Sequence, residues 1–175
     1  MNTKRIVLTG APATGKTTLS LELESKGYTV FHEQARQIIQ KSLTEGSDVL
    51  PWKDLDAFTE VVWDLRIKQW KDASLKTINF YDRTILDSYA YLIKGNIKAT
   101  AQQRADMEQM RFDKVFILPV WPEIHSLDTE RVETLEECHE VDRYMRQAYE
   151  ELGYELIEIP YGTVDERIAF IERHL

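Results

Sequence analysis

The chain has 175 residues, which suits one domain over 1–175, and its 43% hydrophobic residues suffice for a core. A net charge of −8 with no Lys/Arg cluster argues against nucleic acid as a partner. The single cysteine, Cys138, excludes an intrachain disulfide, and it reads as structural or incidental within a polar helical stretch. No apolar signal region precedes the first strand and no apolar run approaches the length of a bilayer span, so a cytoplasmic location is expected with no membrane partner.

In chain order, residues 5–9 read as the first strand and residues 16–25 as a helix closed by Gly27. Between them, Gly10-Ala11-Pro12-Ala13-Thr14-Gly15-Lys16-Thr17 spells G-x-x-x-x-G-K-[ST], the Walker A pattern, in its strand–loop–helix setting. Its glycines let the backbone curl so that successive N–H groups face one concavity, and the helix start adds positive charge there. Lys16 is expected to reach the β- and γ-phosphates of a nucleotide, the Thr17 hydroxyl to hold Mg2+, and residues 10–18, Thr18 included, to cradle the phosphates. The fixed offsets make this the most specific signal in the chain.

Residues 28–32 (YTVFH) form the expected second strand, followed by a helix over 34–43 and a loop over 45–51. A long helix over 54–75 places Leu55, Phe58, Val62, Leu65 and Gln69 on one face. Residues 77–81 (TINFY) are strand three, and helices follow over 84–94 and 101–110. Residues 114–118 (KVFIL) are strand four, and a long polar helix, broken near its start, covers 129–152. Residues 154–159 (YELIEI) are strand five, and the last helix spans 164–173, with Thr163 and Glu166 as its capping box. Repeated strand–helix units imply a three-layer α/β domain whose parallel sheet carries helices on both faces. Ligands then bind where the C-terminal strand ends gather.

Those strand ends carry the remaining chemistry. Asp82, after strand three, is the best carboxylate for coordinating Mg2+ beside a phosphate loop, because strand four ends in Leu118-Pro119 without an acid. Its structural alternative is an N-cap for the next helix. Arg83 would face the transferred phosphoryl group or a substrate anion, or simply the surface. Glu33, after strand two, would orient or deprotonate an acceptor hydroxyl, or merely favour a helix N-terminus. Arg36 lies on the same helix face as Glu33 and would bind a substrate anion or pair with Glu33. His32 is expected to pack. Trp52, Phe58 and Trp63, with Arg66 nearby, enrich 50–69 in aromatics; Phe58 is the candidate acceptor contact, set against an ordinary core role. Tyr89, Tyr91 and Trp121 read as packing.

The strings RIVLTGAPATGKTTL, EQAR, LPWKDLDAF, FYDR, DKVFILP, DTER and ELGYELIEIPYGTVDERIAFI together resemble the AAA-domain P-loop family that includes the nicotinamide riboside kinase domain of NadR-type bacterial proteins. The resemblance covers nearly the whole chain. More broadly it is similar to nucleoside and nucleotide kinases, which implies a five-stranded parallel sheet in the order 2-3-1-4-5. It also implies a lid, here 123–145, whose arginine closes over the phosphates; Arg131 is the best match and Arg143 a weaker one. It further implies that the nucleotide base packs near Gly162-Thr163-Val164.

These readings converge on an ATP- and Mg2+-dependent phosphotransferase acting on a small-molecule, nucleoside-like hydroxyl. Lys16, Glu33, Asp82, Arg83 and Arg131 form its expected catalytic set, Arg36, Phe58 and Arg83 its acceptor contacts, and Thr17 and Asp82 its metal ligands. The alternative is an NTPase switch or nucleotide-sensing module without an acceptor.

Overall fold

The computed structural model describes residues 2–124 and 134–175. Five strands form one parallel sheet: β1 (Lys4–Thr9), β2 (Thr29–Phe31), β3 (Ile78–Asp82), β4 (Lys114–Ile117) and β5 (Leu156–Glu158), in the order β2-β3-β1-β4-β5. The helices are α1 (Lys16–Ser25), α2 (Ala35–Glu45), α3 (Leu55–Lys71), α4 (Ile85–Lys94), α5 (Ala101–Gln109), α6 (Leu135–Glu151) and α7 (Val164–Arg173). Both the strand order and the three-layer arrangement match the expectation.

The layers follow from the two-residue period of the central strands. In β1, Ile6 and Leu8 pack with Leu19 and Leu23 of α1 and with Ile168 and Ile171 of α7. Val7, between them, points to the other face and joins Trp63, Ile85, Leu86 and Tyr149 from α3, α4 and α6. Phe80 and Tyr81 divide in the same way, as do Phe116 and Val115. Because both faces are covered, the central strands are a continuous apolar run rather than an alternating one. A smaller cluster ties α6 to α4 through Cys138, Val141, Met145, Ala148 and Ala90. No helix among the described residues is long and apolar enough to cross a membrane.

Two helix boundaries and one buried helix face differ most from the expectation. Helix α3 ends at Lys71 rather than 75 because the Asn79 side chain takes both the N–H and the carbonyl of Ser74, fixing a turn before β3. Its buried face is Phe58, Thr59, Val62, Trp63 and Arg66, rotated from the expected one, so Leu65 and Gln69 flank it. Helix α6 begins at Leu135 behind a Thr134–Glu137 capping box; of the expected 129–152, residues 129–133 lie outside the described residues. Part of the expected lid is thus body, since Cys138, Val141 and Met145 are buried in the core.

The register positions the site. Leu8 pairs with Asp82 across β1 and β3, two residues before the loop that starts at Gly10. Phe31 pairs with Tyr81 across β2 and β3, so Glu33 and Arg83, each two residues further on, leave the sheet side by side.

Candidate active site

The loop between β1 and α1 is curled by left-handed backbone at Gly10 (φ 136°), Ala13 (φ 59°) and Gly15 (φ 87°). A Cβ on Gly10 would lie 2.4 Å from the Leu118 carbonyl oxygen, so only glycine fits where the loop passes β4. Side chains engage the loop carbonyls. Lys16 Nζ donates to Gly10 O at 2.9 Å, to Ala11 O at 2.6 Å and to Thr14 Oγ1 at 3.1 Å. Thr14 Oγ1 donates to Ala11 O, Cys138 Sγ lies 3.7 Å from Pro12 O, and the Arg167 guanidinium donates to Thr14 O at 3.3 Å and 3.4 Å. Burial, followed by repulsion from Arg83, pulls the Lys16 ammonium down to about 7, against the attraction of Asp82, Asp87 and Glu33.

One cavity of about 310 Å3 opens from this loop. Residues 12–18 line one end, with Thr17 and Thr18 exposed to it. Asp82 and Arg83 from the end of β3 and Glu33 from the end of β2 also line it. Its far wall is apolar, from Ile39 of α2 and Leu55, Phe58 and Val62 of α3, with Arg36, Arg66, Ser88 and Tyr91 interleaved. Of the expected site residues, the structure gathers all but Gly10, Ala11 and Arg131 onto this lining. Gly10 and Ala11 shape the loop behind it, and Arg131 lies outside the described residues. Arg143 is exposed beside His139 and Glu140, away from the cavity.

Asp82 is 3% exposed. Its Oδ2 accepts from Ser20 Oγ at 3.2 Å, and its buried Oδ1 accepts no hydrogen bond among the described residues. Burial raises its carboxyl above the ordinary value, more than Lys16 and Arg83 lower it. Asp82 is not the N-cap that sequence alone allowed: Thr84 caps α4, in a capping box with Asp87. An orphaned carboxylate oxygen on a side chain held by Ser20, one helical turn beyond Thr17, fits Mg2+, which takes one or two protein ligands and completes its octahedron with phosphate oxygens and water. Among the described residues no cluster of three or more His, Cys, Asp or Glu is placed to hold a metal ion.

Arg83 is held in the left-handed region (φ 74°), an uncommon conformation for a side-chain-bearing residue, with its N–H bonded to Leu8 O at 3.1 Å. Its Nη1 lies 3.3 Å from Asp87 Oδ1. Burial alone would lower its guanidinium, but Tyr91, Asp87, Glu33 and Asp82 outweigh that and hold it above its ordinary value. Glu33 uses one carboxylate oxygen to accept from Ala35 N–H at the start of α2, so an acid beside this helix N-terminus, its other reading, stands alongside its place on the cavity.

Several residues went unassigned in the sequence reading. Ser20 braces Asp82 from α1. Arg66 is 9% exposed and donates to Thr84 O at 2.7 Å and Ser88 Oγ at 2.6 Å. Asp87 is fully buried and binds Arg83 together with the Thr9 and Tyr149 hydroxyls and the Thr84 N–H. Arg167 links α7 to the loop, its guanidinium 5.4 Å over the Trp121 ring, which stacks on Tyr161 at 5.1 Å. The aromatic expectations divide. Phe58 lines the cavity, Trp63 is core with its Nε1 on Asp106, and Trp52 is exposed. Tyr91, expected to pack, lines the cavity beside Arg83. His32, also expected to pack, is half-exposed with Nε2 3.1 Å from Glu24.

Solved structures with the same fold include deoxyadenosine kinase from M. mycoides with the products dCMP and dCDP. It is 18% identical with a TM-score of 0.68, over 97% of this chain and 97% of that one. The same enzyme with bound dATP gives 17% identity and a TM-score of 0.63, over 97% of this chain and 98% of that one. A NadR protein in complex with NR is 19% identical with a TM-score of 0.74, over 98% of this chain and 51% of that one. At these identities the likeness establishes the fold alone. None of the curated protein sequences matches the chain significantly. The model of the AAA domain family matches residues 5–167, which, with the phosphate loop and sheet order already described, makes the chain a member of that family.

Proposed function

We propose that this chain is a Mg2+-dependent kinase that moves the γ-phosphoryl group of ATP to a hydroxyl of a small, nucleoside-like acceptor. The observation that supports this best is a cavity that joins the phosphate loop to apolar residues of α2 and α3. A switch that only hydrolyses nucleotide has no use for that second half, whereas an acceptor ring has: Ile39, Leu55, Phe58 and Val62 exclude water from one side of it. The neighbours' bound nucleotides and NR are in keeping with an acceptor of this class.

In this reading the loop N–H groups and Lys16 hold the β- and γ-phosphates, and Thr17 and Asp82 hold Mg2+ through the Thr17 hydroxyl and the unpartnered Asp82 Oδ1. The metal, when bound, neutralises charge between the β- and γ-phosphates. Glu33, between the loop and the apolar wall, orients the acceptor hydroxyl and takes its proton. Arg83 stabilises charge on the equatorial oxygens as the phosphoryl group passes, and Arg36 and Phe58 contact the acceptor. Because the transition state is loose, these contributions are positioning and electrostatics rather than covalent chemistry.

Glu33→Gln tests the assignment. Acceptor-dependent ADP release falls about 100-fold or more while ATP affinity stays within about twofold, the magnitude of a lost general base. Retained acceptor-dependent turnover removes Glu33 from the reaction, and acceptor-independent hydrolysis of equal rate in both proteins favours the NTPase reading.

A further inference from the structure

We infer that Asp87 is the positioning residue of the site: through Arg83 it sets the charge that meets the phosphoryl group. The inference rests on the kinase reading for what Arg83 does, but the arrangement itself is independent of the acceptor. Asp87 is fully buried and does not line the cavity, yet donors from β1, from the turn between β3 and α4, and from α6 converge on it. Thr9 Oγ1, the last residue of β1 before the phosphate loop, donates to Oδ1 at 2.7 Å. Thr84 N–H donates to Oδ2 at 2.8 Å. Tyr149, from α6, donates its hydroxyl to Oδ2 at 2.6 Å and lies 2.8 Å from Thr84 Oγ1. Arg83 Nη1 completes the set at 3.3 Å from Oδ1.

Two further observations fit. Arg83 sits at φ 74°, a conformation that persists only where its surroundings over-determine it. The Leu8 carbonyl fixes its backbone and Asp87 fixes its guanidinium, so both ends are held. Burial opposes the Asp87 charge, but Arg83, Arg66 and the Tyr149 and Thr9 hydroxyls keep its carboxyl below the usual range, so it stays anionic opposite Arg83. Neutral Asn retains the shape and loses the charge, leaving the guanidinium free to turn away.

A double-mutant cycle on kcat tests this. Asp87→Asn in the wild-type background lowers kcat for acceptor-dependent ADP release about tenfold or more, the scale of a hydrogen bond to a charged group, with ATP KM within about twofold. In an Arg83→Ala background the same change has no further effect on kcat, because the group it positions is gone. Additive losses in the two backgrounds, or an ATP KM that rises with the fall in kcat, overturn the inference and leave Asp87 a fold residue. If Asp87→Asn does not fold, Tyr149→Phe runs the same cycle with a loss of about threefold, since Tyr149 does not line the cavity and its hydroxyl meets Asp87, Thr84 and Thr9 behind it. A chain with no acceptor-dependent turnover at all refutes the kinase reading instead, and the cycle is then read on basal ATP hydrolysis with the same two outcomes.

Discussion

Asp82→Asn makes the ligand-free protein more stable and the loaded protein less so. In the ligand-free state a carboxylate that is 3% exposed keeps one oxygen without a donor, and burial raises its carboxyl more than Lys16 and Arg83 lower it. A raised acid favours the native state at low pH, where both states are protonated or the native state alone binds the proton. Its penalty develops as pH rises through the raised native value and is complete above it. An unsatisfied buried polar group costs about 1–3 kcal/mol. Asn keeps an oxygen for the Ser20 hydroxyl and puts its uncharged Nδ2 in the unpartnered place, so the part of that penalty that comes from burying a charge is relieved. For a chain of 175 residues, a gain of about 1–2 kcal/mol corresponds to a rise in Tm of about 2–8 °C. Differential scanning calorimetry without nucleotide at pH 8 measures it, and the gain disappears near pH 3. With ATP and Mg2+ at about 100 Kd the wild type gains about 2.7 kcal/mol while the variant, lacking the metal-binding charge, gains less, so the order of the two Tm values reverses. A ligand-free variant that melts below the wild type refutes the reasoning, because pairing with Lys16 and Arg83 would then outweigh burial.

Lys16 gives a second pH signature. Its ammonium is lowered to about 7 from 10.5, so between those values the unfolded chain holds a proton that the native chain has released, and stability rises with pH. Urea unfolding from pH 7 to 10 shows this slope in the wild type and a flatter one in Lys16→Met; equal slopes refute the shift. Arg83→Gly is more stable than Arg83→Ala by about 1 kcal/mol, since glycine alone adopts φ 74° without strain, while both lose the same kcat. Greater stability of the Ala variant in chemical denaturation contradicts it.

What the sequence made legible was local. The phosphate loop is contiguous, and its glycines, lysine and threonine carry their roles at fixed offsets. The parallel sheet followed from apolar runs alternating with helices, and Asp82 and Glu33 from the rule that strand ends gather ligands. Other features depended on pairs distant in the chain: Ser20 with Asp82, Tyr149 with Asp87 and Arg167 with Thr14 meet only once the sheet order is set. No spacing signals such contacts. Two misses did carry a signal. Thr84 and Asp87 have the T-x-x-D spacing of a capping box, which would have relieved Asp82 of the N-cap role. Arg66 continues the 58, 62 stripe by one turn, and an arginine inside a buried stripe marks a polar partner across the helix interface. The buried face of α3 is not set by period alone, because Leu65 and Gln69 fit a helical period as well as Trp63 and Arg66 do; packing against α4 chooses between them.

The most direct measurement is transfer of labelled γ-phosphate from ATP, with Mg2+, across a panel of nucleosides and nicotinamide riboside. The account predicts one or more labelled phosphorylated acceptors, formed in step with ADP and lost in Lys16→Ala. Release of inorganic phosphate alone, at a rate no acceptor changes, contradicts it.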